Sequence, residues 1–171
     1  PKVLMITLND GYDPYSKKQL GLHTGKADSY KSYNELMDAF ARQIDHFVDI
    51  KVAGSNVIDS IFAEQMPVPF LSTITHDCIS RGKDYNDGGA RYNTNYLQGV
   101  GIGTVTDSMA ALKYLVFEKK ELSIPEFMEI LEDNFEGHEA FRSKLLLDTP
   151  KYGNDDDYAD DIMFEIFDTY A

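Results

Sequence analysis

The chain has 171 residues, a net charge of −13 and a single cysteine, Cys78. That length suits one domain with a real core, and the acidic balance argues against nucleic-acid or anionic-membrane partners, whose phosphates need basic patches. One cysteine excludes an internal disulfide and a multi-cysteine zinc site and fits a reducing cytoplasm, and no apolar run approaches the length of a membrane span.

Val3–Leu8 is strand-like, and Asn9–Asp28 is a loop with turn signals at Asn9-Asp10-Gly11 and His23-Thr24-Gly25. Asn34 caps a long helical pattern. Leu36, Phe40, Ile44 and Phe47 carry its apolar face, which Val57, Ile58, Ile61 and Phe62 continue, with Gly54 as a bend or break. Met66-Pro67-Val68-Pro69 ends that pattern, because proline cannot extend the hydrogen-bond ladder. Phe70–Arg81 reads as a short buried helix carrying Cys78, followed by a polar loop at Gly82–Asn95 and an extended or strand segment at Tyr96–Gly103.

Thr106 or Asp107 then caps a helix with a Met109, Leu112 and Val116 stripe. Ser123-Ile124-Pro125-Glu126 spells a capping box, and Phe127, Ile130 and Leu131 supply the apolar face behind it. Ala140–Leu147 is a further short helix, Pro150–Asp157 a turn, and Tyr158–Tyr170 a final amphipathic helix. Two isolated strands cannot form a stable sheet, so the sheet they belong to is expected to be completed by residues outside this chain. The abrupt start at Pro1 and the end inside a helical pattern at Ala171 read as a segment of a longer protein, the alternative being a trimmed full-length one.

Several constellations invite chemistry, and most have a plainer explanation. Gly99, Gly101 and Gly103 precede a helix, but no lysine follows and Asp107 at the helix mouth would repel phosphate. A tight packing turn is the better reading. Asp155, Asp156, Asp157, Asp160 and Asp161 lack the EF-hand glycine and glutamate and suit the first turn of a helix. The four histidines show no zinc spacing, and His76 and Cys78 fall on different sides of a helix. What remains is the polar group Tyr85, Asn86, Arg91, Tyr92, Asn93, Asn95, Tyr96 and Gln98, which either shapes a ligand cavity or satisfies its own buried groups. Asn93, Asn95 and Gln98 are the candidate substrate-facing side chains. No catalytic, cofactor or metal residue is assigned.

Three blocks carry a family resemblance: Pro67–Asn86 (PVPFLSTITHDCISRGKDYN), Gly88–Tyr114 (GGARYNTNYLQGVGIGTVTDSMAALKY) and Thr149–Ile162 (TPKYGNDDDYADDI). They resemble the glycyl radical enzymes, the family of pyruvate formate-lyase and the glycerol and diol dehydratases, and lie nearer the dehydratase-like branch. Pyruvate formate-lyase shares the Asp107-Ser108-x-x-Ala111-x-Lys113-Tyr114 run but differs in the preceding loop. The resemblance implies an α/β fold: residues 1–171 as a single helix-rich segment of a ten-stranded α/β barrel, with one or two barrel strands and about six helices. It implies radical C–O, C–N or C–C cleavage of a small polar substrate by the full-length enzyme, in the cytoplasm, without nucleic acid or membrane. The glycyl radical would lie elsewhere in the polypeptide, installed by a radical-SAM activating enzyme, and the whole enzyme would be a homodimer. Neither the Gly-Cys-x-Glu cysteine loop nor the Arg-Val-x-Gly-Tyr radical loop of that family occurs in these 171 residues. The segment alone is therefore expected to be inactive. The alternatives are another dehydratase, lyase or formate C-acetyltransferase of the family, or a non-catalytic helical interaction module derived from it.

Overall fold

The computed structural model describes residues 1–170 and divides the chain into two compact units, Pro1–Phe47 with Gly99–Ala171, and Val48–Gln98. Helices dominate both, as expected, though eight α-helices appear among the described residues rather than about six.

The first unit begins with a correction. Val3–Leu8 is not a strand: α1 spans Lys2–Leu8. A short run with no polar alternation does not distinguish strand from helix, and here burial decides. Leu4, Ile6 and Leu8 enter the core, while Thr7 Oγ1 satisfies the Val3 carbonyl at 2.8 Å and Asn9 Nδ2 the Met5 carbonyl at 2.8 Å. The expected turn follows, with Asp10 and Gly11 both at positive φ. It leads into a small antiparallel hairpin, β1 (Tyr12–Asp13) and β2 (Lys18–Gln19), the only strands among the described residues.

A long helix, α2, spans Tyr33–Gln65. Asn34 is not its cap. Ser32 Oγ accepts from Glu35 N at 3.3 Å, and the Glu35 carboxylate accepts from Lys31 N at 2.7 Å, a box displaced by one residue. Leu36 and Phe40 are fully buried as their spacing predicts. Further along the chain, α5 spans Ile102–Ala111 and passes directly into a π-helical stretch, Leu112–Glu118, which closes with an i→i+5 bond from Lys119 N to the Tyr114 carbonyl at 2.9 Å. The expected caps Thr106 and Asp107 lie inside α5: Thr106 is buried and bonds the Ile102 carbonyl, and Gly101, left-handed at φ +82°, precedes the helix instead.

Ser123 and Glu126 form the predicted capping box of α6 (Ile124–Glu132), which is followed by α7 (Glu139–Leu147) and α8 (Asp157–Tyr170). The core joins Leu36 and Phe40 to Val105, Met109, Leu112, Leu115, Phe127, Ile162 and Ile166, with α5 lying along α8. Each such side chain contributes about 1.5–3 kcal/mol on full burial. At its edge the Lys113 ammonium stands 5.0 Å from the Tyr33 ring and 4.7 Å from the Tyr158 ring, and Tyr33 donates to Glu165 at 3.3 Å. Burial first, then the Glu165 charge, raise the Tyr33 phenol far above its ordinary value, so it stays a donor.

The second unit holds the remainder of α2 and two short helices, α3 (Pro69–Ile74) and α4 (Cys78–Arg81). Gly54 does not interrupt α2, and its own surroundings are open. The prolines end α2 as predicted, with Pro69 opening α3. The single buried helix expected over Phe70–Arg81 is broken at Thr75–Asp77, and of it only Cys78 is buried. The cause is local. Ser72, Thr73 and Thr75 turn their hydroxyls back onto the carbonyls of Val68, Phe70 and Leu71 at 2.7–3.1 Å, which weakens helix continuation, and Asp77 then adopts φ +76°. Tyr96–Gly103 forms no strand either: residues 93–99 have no regular structure, and α5 already begins at Ile102.

Candidate functional site

The polar loop after α4 is built on two aspartates that the sequence reading did not single out. Asp84 caps a 3₁₀ turn at Tyr85–Asp87. Its carboxylate accepts from Ser72 Oγ at 2.7 Å and from the Val68 and Asn86 amides at 3.0 Å each, while its carbonyl accepts from Gly89 N at 2.9 Å. Ser72 Oγ in turn accepts from Tyr85 N at 2.9 Å, and Asn86 Nδ2 donates to the Met66 carbonyl at 2.7 Å. One carboxylate therefore ties the loop to the proline turn that ends α2. The Ser72 hydroxyl is the largest influence holding the Asp84 carboxyl below the usual range, with the backbone amides adding to it against the cost of desolvation. The glycine pair belongs to the same geometry. Gly88 is left-handed, and a Cβ on Gly89 would run into the Lys83 carbonyl oxygen, so only glycine lets the loop fold back this closely.

Asp77 holds the next turn. Its carboxylate takes both arms of the Arg91 guanidinium, Nε at 2.8 Å and a terminal nitrogen at 3.0 Å, and stands 3.8 Å from Arg81. The hydrogen bond from Arg91 is the main reason the Asp77 carboxyl lies below the ordinary range. Arg81 also donates to the Ala90 carbonyl at 3.1 Å, so residues 90 and 91 are gripped through both backbone and side chain. Arg91 and Asn86 thus serve as scaffold, one of the two alternatives the sequence left open for this polar group.

Beyond Arg91 the chain is exposed through Val100. The three candidates sit on this stretch in different settings. Asn95 donates to Asp59 on α2. The Asn93 amide lies over Gly88, 3.2 Å from where a Cβ on that glycine would stand. Gln98 is exposed. The signal that could have found the organising residues was Asp84-Tyr-Asn86, an Asx-turn pattern next to a glycine pair; the Asp77–Arg91 pair, fourteen residues apart, carried no local signal.

The remaining constellations resolve as local structure. Gly101 is pressed against Pro1, and a Cβ there would stand 2.6 Å from the proline Cδ. Asp107 accepts from Tyr152 N at 2.8 Å, fastening the 149–153 turn to α5 rather than facing a ligand. Asp156 accepts from Tyr158 N at 3.0 Å and caps α8. No group of three or more His, Cys, Asp or Glu among the described residues is arranged to hold a metal ion, and no helix among them is long and apolar enough to cross a membrane.

A family profile described as pyruvate formate lyase-like matches residues 1–171. The chain belongs to that family. A trans-4-hydroxy-L-proline dehydratase of Clostridioides difficile is 56% identical over 170 residues, 99% of this chain and 22% of the relative. The crystal structure of that enzyme with trans-4-hydroxy-L-proline bound superposes with a TM-score of 0.92. The glycerol-bound B12-independent glycerol dehydratase of Clostridium butyricum follows at 36% identity and a TM-score of 0.86, covering 98% of this chain and 21% of its own. A glycyl radical enzyme of Archaeoglobus fulgidus gives 38% and 0.83, covering 99% and 21%. The chain therefore has the fold of a helix-rich segment of the glycyl radical enzyme barrel, and spans about a fifth of the length of the relatives it matches. None of its 12 glycines stands in an Arg-Val-x-Gly-Tyr motif, so no residue of this chain is assigned to carry the radical.

Proposed function

We propose that this chain is a scaffold segment of a dehydratase-like glycyl radical enzyme that removes water from a small polar substrate, with trans-4-hydroxy-L-proline the first candidate. The observation that carries the reading is the 56% identity to the hydroxyproline dehydratase across 99% of the chain, joined to a TM-score of 0.92. Glycerol, diol, isethionate and choline enzymes are the next candidates within the same chemistry. The segment holds no catalytic residue. Its part is to present the loop carrying Asn93, Asn95 and Gln98, whose amides would hydrogen-bond the substrate. The glycyl radical would reside elsewhere in the polypeptide, installed by a radical-SAM activating enzyme, and the whole enzyme would be a cytoplasmic homodimer.

The test uses the full-length protein. Anaerobic treatment with its activating enzyme should give the doublet of a glycyl radical by electron paramagnetic resonance. The activated enzyme should then consume hydroxyproline in preference to glycerol, propanediol, choline and isethionate. No radical, under conditions that activate a control enzyme, refutes the enzyme reading. A radical with turnover of another member of the panel refutes the substrate alone.

A further inference from the structure

The loop that carries the candidate amides is gripped at one end by charged groups and unsupported for most of its remaining length. Arg81 holds the Ala90 carbonyl and Asp77 takes both arms of Arg91, but from Tyr92 to Val100 the hydrogen bond to another segment seen among the described residues is Asn95 to Asp59. Where residues 93–98 stand therefore depends on the grip at residues 90–91 together with the Asn95–Asp59 contact. Asp77 is an unusual choice for that task. It sits at φ +76°, where most side chains are strained, yet the position is not filled by glycine. Aspartate is one of the few residues that tolerates this conformation while offering two acceptor oxygens to an arginine fork. The carboxylate faces Arg91 and Arg81 together.

Building on the dehydratase reading above, we propose that Asp77, through Arg91, is the positioning residue that sets the Tyr92–Gln98 segment against the substrate. The pair touches no reacting atom. It fixes where the substrate-binding amides stand, and so acts on recognition more than on chemistry.

Asp77→Asn removes the charge while keeping a residue that accepts the left-handed conformation, and Arg91→Lys keeps the charge but loses the fork. In the full-length enzyme, D77N should speed hydrogen–deuterium exchange of peptides covering residues 82–91, where the Tyr85, Asn86, Asp87, Gly88 and Gly89 amides are hydrogen-bonded, about fivefold and raise KM by a similar factor. Radical yield should stay unchanged and kcat should stay within twofold. R91K should move both readouts in the same direction by less. Unchanged exchange in D77N overturns the anchoring whatever the substrate proves to be. Faster exchange with an unmoved KM overturns the recognition role. A parallel fall in radical yield and kcat shows a merely structural pair and overturns it too. An activated wild-type enzyme that ignores hydroxyproline refutes that substrate alone: KM is then read on whichever panel member turns over, and the exchange measurement still decides the anchoring.

Discussion

Replacing Gln43 by leucine should loosen the 20–25 loop while leaving the helix beneath it intact. Gln43 lies on α2 and is fully buried. Its Oε1 accepts from Leu22 N at 3.0 Å, and its Nε2 donates to the Leu22 carbonyl at 2.6 Å and to Thr24 Oγ1 at 3.1 Å. Gly21 lies so close that a Cβ there would collide with the Gln43 oxygen, so no side chain shields this contact from the loop side. Three hydrogen bonds at about 1 kcal/mol net each are lost, and the larger apolar surface of leucine returns about 1 kcal/mol. The net cost is about 2 kcal/mol, which corresponds to about a 30-fold rise in the local opening constant. Hydrogen exchange by mass spectrometry on the full-length protein, followed in peptides covering Leu20–Gly25, reads this directly. Gln43→Glu should be worse, because a carboxylate oxygen would face the Leu22 carbonyl. A change below threefold in Q43L would refute the reasoning, for it would mean that water replaces the amide at no cost.

Four further outcomes are expected. Ser123→Ala, by removing the hydroxyl of the α6 capping box, should cost about 1 kcal/mol and raise exchange in the first turn of α6. Gly101→Ala should be destabilising by more than the roughly 1–2 kcal/mol of left-handed strain, because its methyl also meets Pro1; soluble yield and melting temperature report it, and a neutral result contradicts the close approach. The Asp84 carboxyl lies below its ordinary value in the fold, so its contribution is present above about pH 4 and is lost as pH falls through the depressed value. The protection difference between wild type and Asp84→Asn at the Val68 and Asn86 amides should accordingly shrink on acidification below that point, and a constant difference would contradict it. Finally, the 171-residue chain alone should self-associate through the exposed Val57, Ile58, Ile61, Phe62, Phe70 and Ile74 of the second unit, and light scattering from a monodisperse monomer would count against this.

Features legible in the sequence were those encoded within a few residues. Ser123 and Glu126 announce α6, Pro67 and Pro69 end α2, and the Met109–Leu112 stripe is buried as its spacing requires. The misreadings come from competitions that local pattern cannot settle. Val3–Leu8 could be strand or helix, and packing chose helix. Gly54 carries a propensity cost that the rest of α2 absorbs. Thr73 and Thr75 compete for backbone carbonyls and help end α3 early. The family was recognisable because the Gly88–Tyr114 block is long and specific. The loop's organisation was not, because Asp77 and Arg91 meet only after the chain has turned back on itself.

The π-helical run Leu112–Glu118 has a consequence for lineage comparison and engineering. A wide turn of this kind accommodates one residue more than a regular α-ladder would. Removing a single residue there would restore the ordinary ladder and leave the helix ends on either side facing as they do now, so the change is confined to the run itself. Leu115, in the core, and Lys113, between Tyr33 and Tyr158, are the side chains inside the run whose places depend on the wide turn. An alignment of relatives that opens a one-residue gap within these seven positions thus marks the loss of the wide turn with the flanking faces kept in register, whereas the same gap in the exposed Tyr92–Val100 stretch alters only the length of a loop.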